Sequence, residues 1–216
     1  MESRIILFHK PYGVLSQFSR EGTWESLADY GPFPKAVYPA GRLDADSEGL
    51  LLLTDDNRIK HRLTDPQHQH PRTYLVQVER LPDPKALELL RKGVRVEGKK
   101  TKPADVELLR EDPPVLPRRV PIRRRKNIPT AWLRVTLKEG RNRQVRKMTA
   151  AAGHPTLRLI RVAVGALTLD GVLPGKSREL NREEIQRLRR ELRIDYSSPS
   201  AGSSPRGASG GRGARG

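Results

Sequence analysis

The chain contains no cysteine, which excludes a disulfide framework and any thiolate metal centre. Long apolar runs are missing too. The first apolar stretch, in "MESRIILFHKP", is four residues, too short for a signal peptide or a membrane span, so a soluble cytoplasmic protein is expected. No Gly-x-Gly-x-x-Gly or Gly-x-x-x-x-Gly-Lys-Ser/Thr segment occurs, so no nucleotide cofactor is implied. There is no internal repeat. Acid is scarce: 25 Asp and Glu face 42 Lys and Arg, for a formal net charge of +17. The last 20 residues, "SSPSAGSSPRGASGGRGARG", offer nothing apolar larger than alanine and cannot offset the entropy of folding. The expected organisation is one folded domain over 1–195 and a disordered Gly/Ser/Arg-rich tail over 196–216.

The basic charge is concentrated. Residues 118–147 hold twelve Lys and Arg and one acid, Glu139, a net +11. Pro121 and Pro129 break this segment, so it is not a basic amphipathic helix for a membrane surface. A nucleic acid is the better polyanionic partner.

Strands dominate the rest. "RIILFHK" and "GLLLLT" are apolar runs of strand length. "TYLVQVE" alternates, with Tyr74, Val76 and Val78 on one face, and "WLRVTLKEG" places Leu133, Val135 and Leu137 together. "TLRLIRVAVGALTL" supplies one or two strands around Gly165. Three helices are marked by their ends. Asp83 caps one with Pro84 at its first position and Gly93 beyond its end. Asn142 caps "RQVRKMTAAAG", with Val145, Met148 and Ala152 as its buried stripe and Gly153 as its stop. Asn181 and Glu184 form a capping box. The fold class is α+β with a mainly antiparallel, mixed sheet.

Against this basic background, "GRLDADSEGLLLLTDD" (41–56) gathers five acids. A calcium loop is a poor match: Leu52 stands where a ligand is needed, and Pro39 and Gly41 rule out a helix before Asp44. Asp55 and Asp56 read as turn residues and Asp46 and Glu48 as a solvated surface. Asp44 fits that description less well, since it follows Gly41, which allows close backbone approach, and Arg42, a neighbouring cation. His68 and His70 lie in a Pro-flanked loop and read as surface, so no metal site is expected.

This stretch resembles the signature of RNA pseudouridine synthases of the RsuA/RluB–E–F family, in which Gly-Arg-Leu-Asp is followed closely by Gly-Leu-Leu-Leu-Leu-Thr. Three further segments agree in order: "KPYGVLSQF" with the family's Lys-Pro start, "RTYLVQVE" with its active-site tyrosine strand, and "LKEGRNRQVRKM" with its Glu-Gly-x-x-x-Gln-Val/Ile-Arg-Arg/Lys-Met motif. "VPIRRRKNIPTAWL" is most similar to the E-type branch, which modifies 23S ribosomal RNA. The resemblance covers residues 5–180. Where the family usually has lysine two residues before the tyrosine, this chain has Arg72, which keeps the charge but not the geometry. Many members carry an N-terminal S4 domain; this chain, like the E-type, is expected to lack one.

The resemblance implies the pseudouridine synthase fold and a catalytic set of Asp44, Tyr74 and Arg146. Asp44 would act as nucleophile or as base, Tyr74 would stack on uracil or move a proton, and Arg146 would pair with Asp44 and keep it ionised. Arg42 would hold or replace the flipped nucleotide. Arg123, Arg124, Arg125 and Lys126, with Arg141, Arg143 and Lys147, are expected to contact the RNA, Arg143 through phosphate. The reaction loses no group and changes no redox state, so no cofactor is expected. The implied partner is 23S rRNA, free or in an assembling large subunit, met by a monomer with no membrane contact. Two other readings use fewer of these residues: a non-catalytic RNA-binding or ribosome-assembly protein on the same fold, and a glycoside hydrolase pairing Asp44 with Asp46.

The clustered charge generates a prediction. Phosphate contacts release counterions, so replacing Arg123, Arg124 and Arg125 with glutamine should weaken RNA binding and flatten the slope of log affinity against log salt by about 2 to 3. Single-turnover rates at saturating enzyme should barely change. An unaltered salt slope in a filter-binding titration would place these arginines away from the RNA.

Overall fold

A computed structural model describes residues 3–122 and 125–194. Arg123, Arg124 and the tail from residue 196, with the boundary at 195, lie outside the described residues. Within them, one mixed sheet runs in the order β11–β1–β3–β9–β4–β8–β7. Its strands are β1 (Ile5–Lys10), β3 (Glu48–Thr54), β4 (Arg72–Glu79), β7 (Asp105–Leu108), β8 (Thr130–Leu137), β9 (Thr156–Val164) and β11 (Ser177–Glu179). The short strands β2 (Tyr38–Pro39) and β10 (Leu167–Thr168) pair with β3 and β9. β5 (Arg95–Val96) and β6 (Lys99–Lys100) form a separate hairpin. Every pairing between these strands is antiparallel except β3 with β9.

The strands form where the apolar runs stand. Leu50 to Leu53 are all buried because both faces of β3 are covered. On one face, Leu50 and Leu52 pack with Ile5, Leu7, Ile59 and Ile185. On the other, Leu51 and Leu53 pack with Phe8, Leu27 and Leu43. In the second half of the sheet, Val76, Val78, Leu133 and Val135 meet Leu87, Leu90, Val145 and Met148. Leu75, Trp132 and Ile160 form a smaller core behind them.

Among the described residues, four α-helices flank the sheet: α1 (Asn57–Thr64), α2 (Pro84–Lys92), α3 (Gln144–Ala151) and α4 (Arg182–Glu191). Asp83 and Pro84 start α2, and Asn181 with Glu184 closes a capping box on α4. α3 begins differently from expectation. Its N-cap is Arg143, in the left-handed region at φ 51°, and not Asn142. The Arg141 amide donates to Gln144 Oε1, so the turn before the helix is tied by a side chain one residue inside it. α1 was not marked as a helix in the sequence. Asp56 accepts from the amides of Arg58 and Ile59 and nucleates it, so Asp56 is a helix cap rather than a plain turn residue.

The two halves of the sheet join through β3 and β9, whose register is short: Glu48 opposite Ile160 and Gly49 opposite Arg161. Gly49 has φ 107°, and a Cβ built there would stand 2.2 Å from the Arg161 carbonyl oxygen and 2.6 Å from its amide nitrogen. Only glycine lets the two backbones approach this closely. Beside it, Arg158 donates bidentately to Glu48, Nε to Oε1 at 2.8 Å and Nη2 to Oε2 at 2.7 Å, and both side chains are buried. The solvated role expected of Glu48 is therefore incorrect. An inward-facing carboxylate between two packed strands needs a cation, and Arg158 provides it. We expect Gly49→Ala to cost at least about 2 kcal/mol of stability in urea unfolding, from positive φ and overlap with β9 together. A wild-type unfolding midpoint would show that the junction tolerates a side chain.

Candidate active site

The loop between β2 and β3 carries Asp44 and is held from two sides. Leu43 is fixed by Ser16, whose hydroxyl donates to its carbonyl at 2.8 Å and accepts from its amide at 3.0 Å. The Gly13 amide donates to the Ala45 carbonyl at 2.7 Å, and the Ser47 amide to that of Asp44 at 3.0 Å. Lys10, fully buried, donates to the Val14 carbonyl at 2.7 Å and to that of Pro11 at 3.0 Å, with the Ala45 carbonyl at 3.5 Å. The "KPYGVLS" segment is thus a bracket for the aspartate loop. Burial pulls the Lys10 ammonium down to about 7, against the fields of Glu48, Asp46 and Asp44.

A cleft of about 530 Å³ opens beside this loop. Arg42, Asp44, Tyr74, Arg141, Arg143 and Arg161 are among its lining residues. Its volume suits a nucleotide, and its excess of arginine suits an anion. Tyr74, half-buried on β4, faces Val135 on β8 and Arg161 on β9 as direct cross-strand partners. Arg42 is exposed at the rim. Arg72 lines the cleft and donates to the Leu63 carbonyl at 2.9 Å.

The arginines of α3 are distributed differently from expectation. Arg143 donates to both carboxylate oxygens of Asp46, at 3.0 and 2.7 Å, and its Nη1 lies 3.4 Å from Asp44 Oδ2. Arg146 donates from Nη2 to the Asp46 carbonyl at 2.6 Å, and its Nε lies 3.4 Å from Asp46 Oδ2. The ion pair expected between Arg146 and Asp44 is therefore made by Arg143, while Arg146 grips the next acid, Asp46. The left-handed cap explains this: it turns Arg143 off the helix and towards the loop. Asp46 is not a free surface acid. Burial opposes its charged form, but the hydrogen bonds from Arg143 and the field of Arg146 outweigh that and hold its carboxyl below the usual range.

Other expected residues are placed as follows. Arg141 lines the cleft, donates to the Lys100 carbonyl at 3.0 Å and lies 3.4 Å from Glu139. Lys147 pairs with Glu97 at 2.6 Å. Lys126 is exposed. Arg125, also exposed, lies 3.6 Å from Glu79 at the far end of β4, about 16 Å along the strand from Tyr74. His61, Asp65 and His68 bring their ligand atoms within 4.8 Å of one another, a grouping that spacing did not reveal; the Arg62 guanidinium lies 3.4 Å from His68 Nε2 beside it. Sequence reading also missed Lys10, Asp46 as an ion-pair hub, and Arg161. The signal for Arg161 was present: "TLRLIRVAV" sets two arginines within an otherwise apolar strand.

The profile of the RNA pseudouridylate synthase family matches residues 4–151. The chain belongs to this family. Its chemistry is the isomerisation of uridine to pseudouridine in RNA. The chain is 55% identical over 176 residues to the ribosomal large subunit pseudouridine synthase E of Xanthomonas campestris pv. campestris, covering 81% of this chain and 94% of that protein. The Vibrio vulnificus protein of the same name is 49% identical, covering 83% of this chain and 76% of its own length. A crystal structure of a pseudouridylate synthase superposes with a TM-score of 0.71 at 30% identity, over 87% of this chain and 74% of that one. Among the described residues, no helix is long and apolar enough to cross a membrane.

The bracket generates a pH prediction. Between about pH 7 and 10.5 the unfolded chain holds a proton on Lys10 that the folded chain has released, so stability rises with pH across that window. Below pH 7 both states are protonated and the full cost of burial applies. The stability of wild type relative to Lys10→Met should therefore improve by roughly 2 kcal/mol from pH 7 to 9 in urea unfolding. A gap that does not change with pH would contradict a lowered Lys10.

Proposed function

We propose that this enzyme isomerises a uridine of the large-subunit, 23S ribosomal RNA, working as a cytoplasmic monomer, with Asp44 as the essential carboxylate. The observation that carries the substrate assignment is the identity of 49–55% to proteins named ribosomal large subunit pseudouridine synthase E, over about four-fifths of this chain. The site supports the chemistry. The target base leaves its stack and enters the arginine-rich cleft, with Arg42 at the rim beside the vacated position. Asp44 then acts at the ribose, as a nucleophile at C1′ or as a base on a ribose proton, while the C1′–N1 bond breaks. The freed uracil turns and C5 joins C1′. Tyr74 lies across the cleft, where its ring can stack on the base and its hydroxyl can move a proton.

Arg143 and Arg146 serve Asp44 together. Arg143 stands against its carboxylate, and both hold Asp46, which fixes the loop two residues on. Arg141, Lys126, Lys147 and the 123–125 cluster are assigned to RNA backbone contacts.

Asp44→Asn should lower single-turnover pseudouridine formation by at least about 10³-fold while RNA affinity stays near wild type. Mapping pseudouridines in rRNA from cells with and without the gene should show one 23S position lost. Full turnover by Asp44→Asn would remove Asp44 from its role, and a loss confined to small-subunit rRNA or tRNA would overturn the substrate.

A further inference from the structure

Arg161 is buried in the centre of the sheet, on β9, which pairs with β3 on one side and β4 on the other. Its backbone faces Gly49 on β3 and Tyr74 on β4. Its Nε donates to the Leu50 carbonyl at 2.8 Å, which fixes the base of the guanidinium. Across the β4–β9 pairing it stands directly opposite Tyr74, whose phenol acts on it favourably, and the other charged group acting on it is a second cation, Arg72. Among the described residues no carboxylate forms an ion pair with it, unlike Arg158 three residues earlier, which has Glu48. Both Arg161 and Tyr74 line the cleft.

A buried guanidinium without a counter-charge is costly, and replacing it with an apolar residue would relieve that cost. Glu48 shows that this junction can supply a carboxylate where a cation needs one. Arg161 instead has a phenol-bearing residue, Tyr74, as its cross-strand partner. A preorganised cation next to an oxygen stabilises negative charge when that oxygen develops it, and it does so most effectively where water is excluded.

The reaction contains such a moment. Once C5 has joined C1′, C5 still carries its hydrogen and the ring has a C6=N1 double bond. To finish, the C5–H bond breaks and its electron pair forms C5=C6. The former C6=N1 pair is taken up at N1, which gains a proton. A phenol that gives its proton to N1 and receives the one from C5 is unchanged at the end, and is a phenolate between the two transfers.

We propose that Arg161 is a positioning residue for this proton transfer, orienting the Tyr74 phenol over the bound uracil and stabilising the negative charge on its oxygen. The inference rests on the assignment of Tyr74 to the proposed site and adds the group that acts through it.

The test compares single-turnover rates on an rRNA fragment carrying the target uridine with hydrogen or deuterium at C5. Arg161→Met should fold and bind RNA like wild type, react about 10- to 100-fold more slowly, and show a larger C5-deuterium isotope effect than wild type. Arg161→Lys, which keeps a cation but loses the fork of donors, should recover part of the rate and reduce the isotope effect. Adding Tyr74→Phe to either variant should cost less than it costs in wild type, because the two residues act as one unit. A wild-type rate for Arg161→Met, or a slow rate with an unchanged isotope effect, would overturn the inference. If Arg161→Met does not fold, the Arg161→Lys cycle with Tyr74→Phe decides, and additive losses there would overturn it. A full rate for Tyr74→Phe alone would instead sink the assignment of Tyr74 itself, and a wild-type enzyme inert on the 23S fragment would sink the substrate.

Discussion

The structure depends on how closely β3 and β9 approach at Gly49. This is the one parallel contact in a sheet that is otherwise antiparallel within the described residues, and it is two register pairs long. Three residues of the proposed site are anchored within a few residues of it. Asp44 lies just before β3, Arg161 is the residue facing Gly49, and Tyr74 is one strand further across. A side chain at position 49 would force the halves apart, and with them the aspartate and the tyrosine. The separation of Arg161 and Tyr74 is therefore set by backbone packing, while Asp44 is placed by a loop that enters β3 at the same junction.

The chain is strongly cationic, yet three of its 25 acids are placed where a fixed negative group orders a cation. Glu48 orders Arg158, Asp46 orders Arg143 and Arg146, and Asp56 orders Arg189 at 2.8 Å. Arg143 bridges two acids, so the helix that begins at its left-handed cap and the loop that carries Asp44 are held as one body. On the other side, Ser16, the Gly13 amide and, at 3.5 Å, the Lys10 ammonium hold the loop through its carbonyls and one amide. The aspartate loop is gripped through side-chain charge from one direction and through main-chain hydrogen bonds from the other, which leaves the Asp44 carboxylate directed into the cleft.

What the sequence determined by itself was local or patterned. The five main strands followed from apolar runs and alternation, and α2 and α4 from their caps, because these signals come from residues within a few positions of one another. The Gly-Arg-Leu-Asp stretch and three ordered motifs carried the family, and with it Asp44 and Tyr74 as residues of one cleft. Only the tertiary structure decided which acids are buried and which arginine meets which acid. Arg143 and Asp46 are 97 residues apart, Arg146 and Asp46 100, and Arg158 and Glu48 110. No periodicity reports a contact over such distances. Helical spacing put Arg143 and Arg146 on a common face, but the left-handed φ of Arg143, which sends it to Asp44, arises where the chain must turn into α3 against the loop. Arg161 was likewise indistinguishable from Arg158 in the strand pattern. Which of the two receives a carboxylate and which stands opposite a tyrosine depends on the strand that lies beside it, and that is fixed only once the sheet has closed.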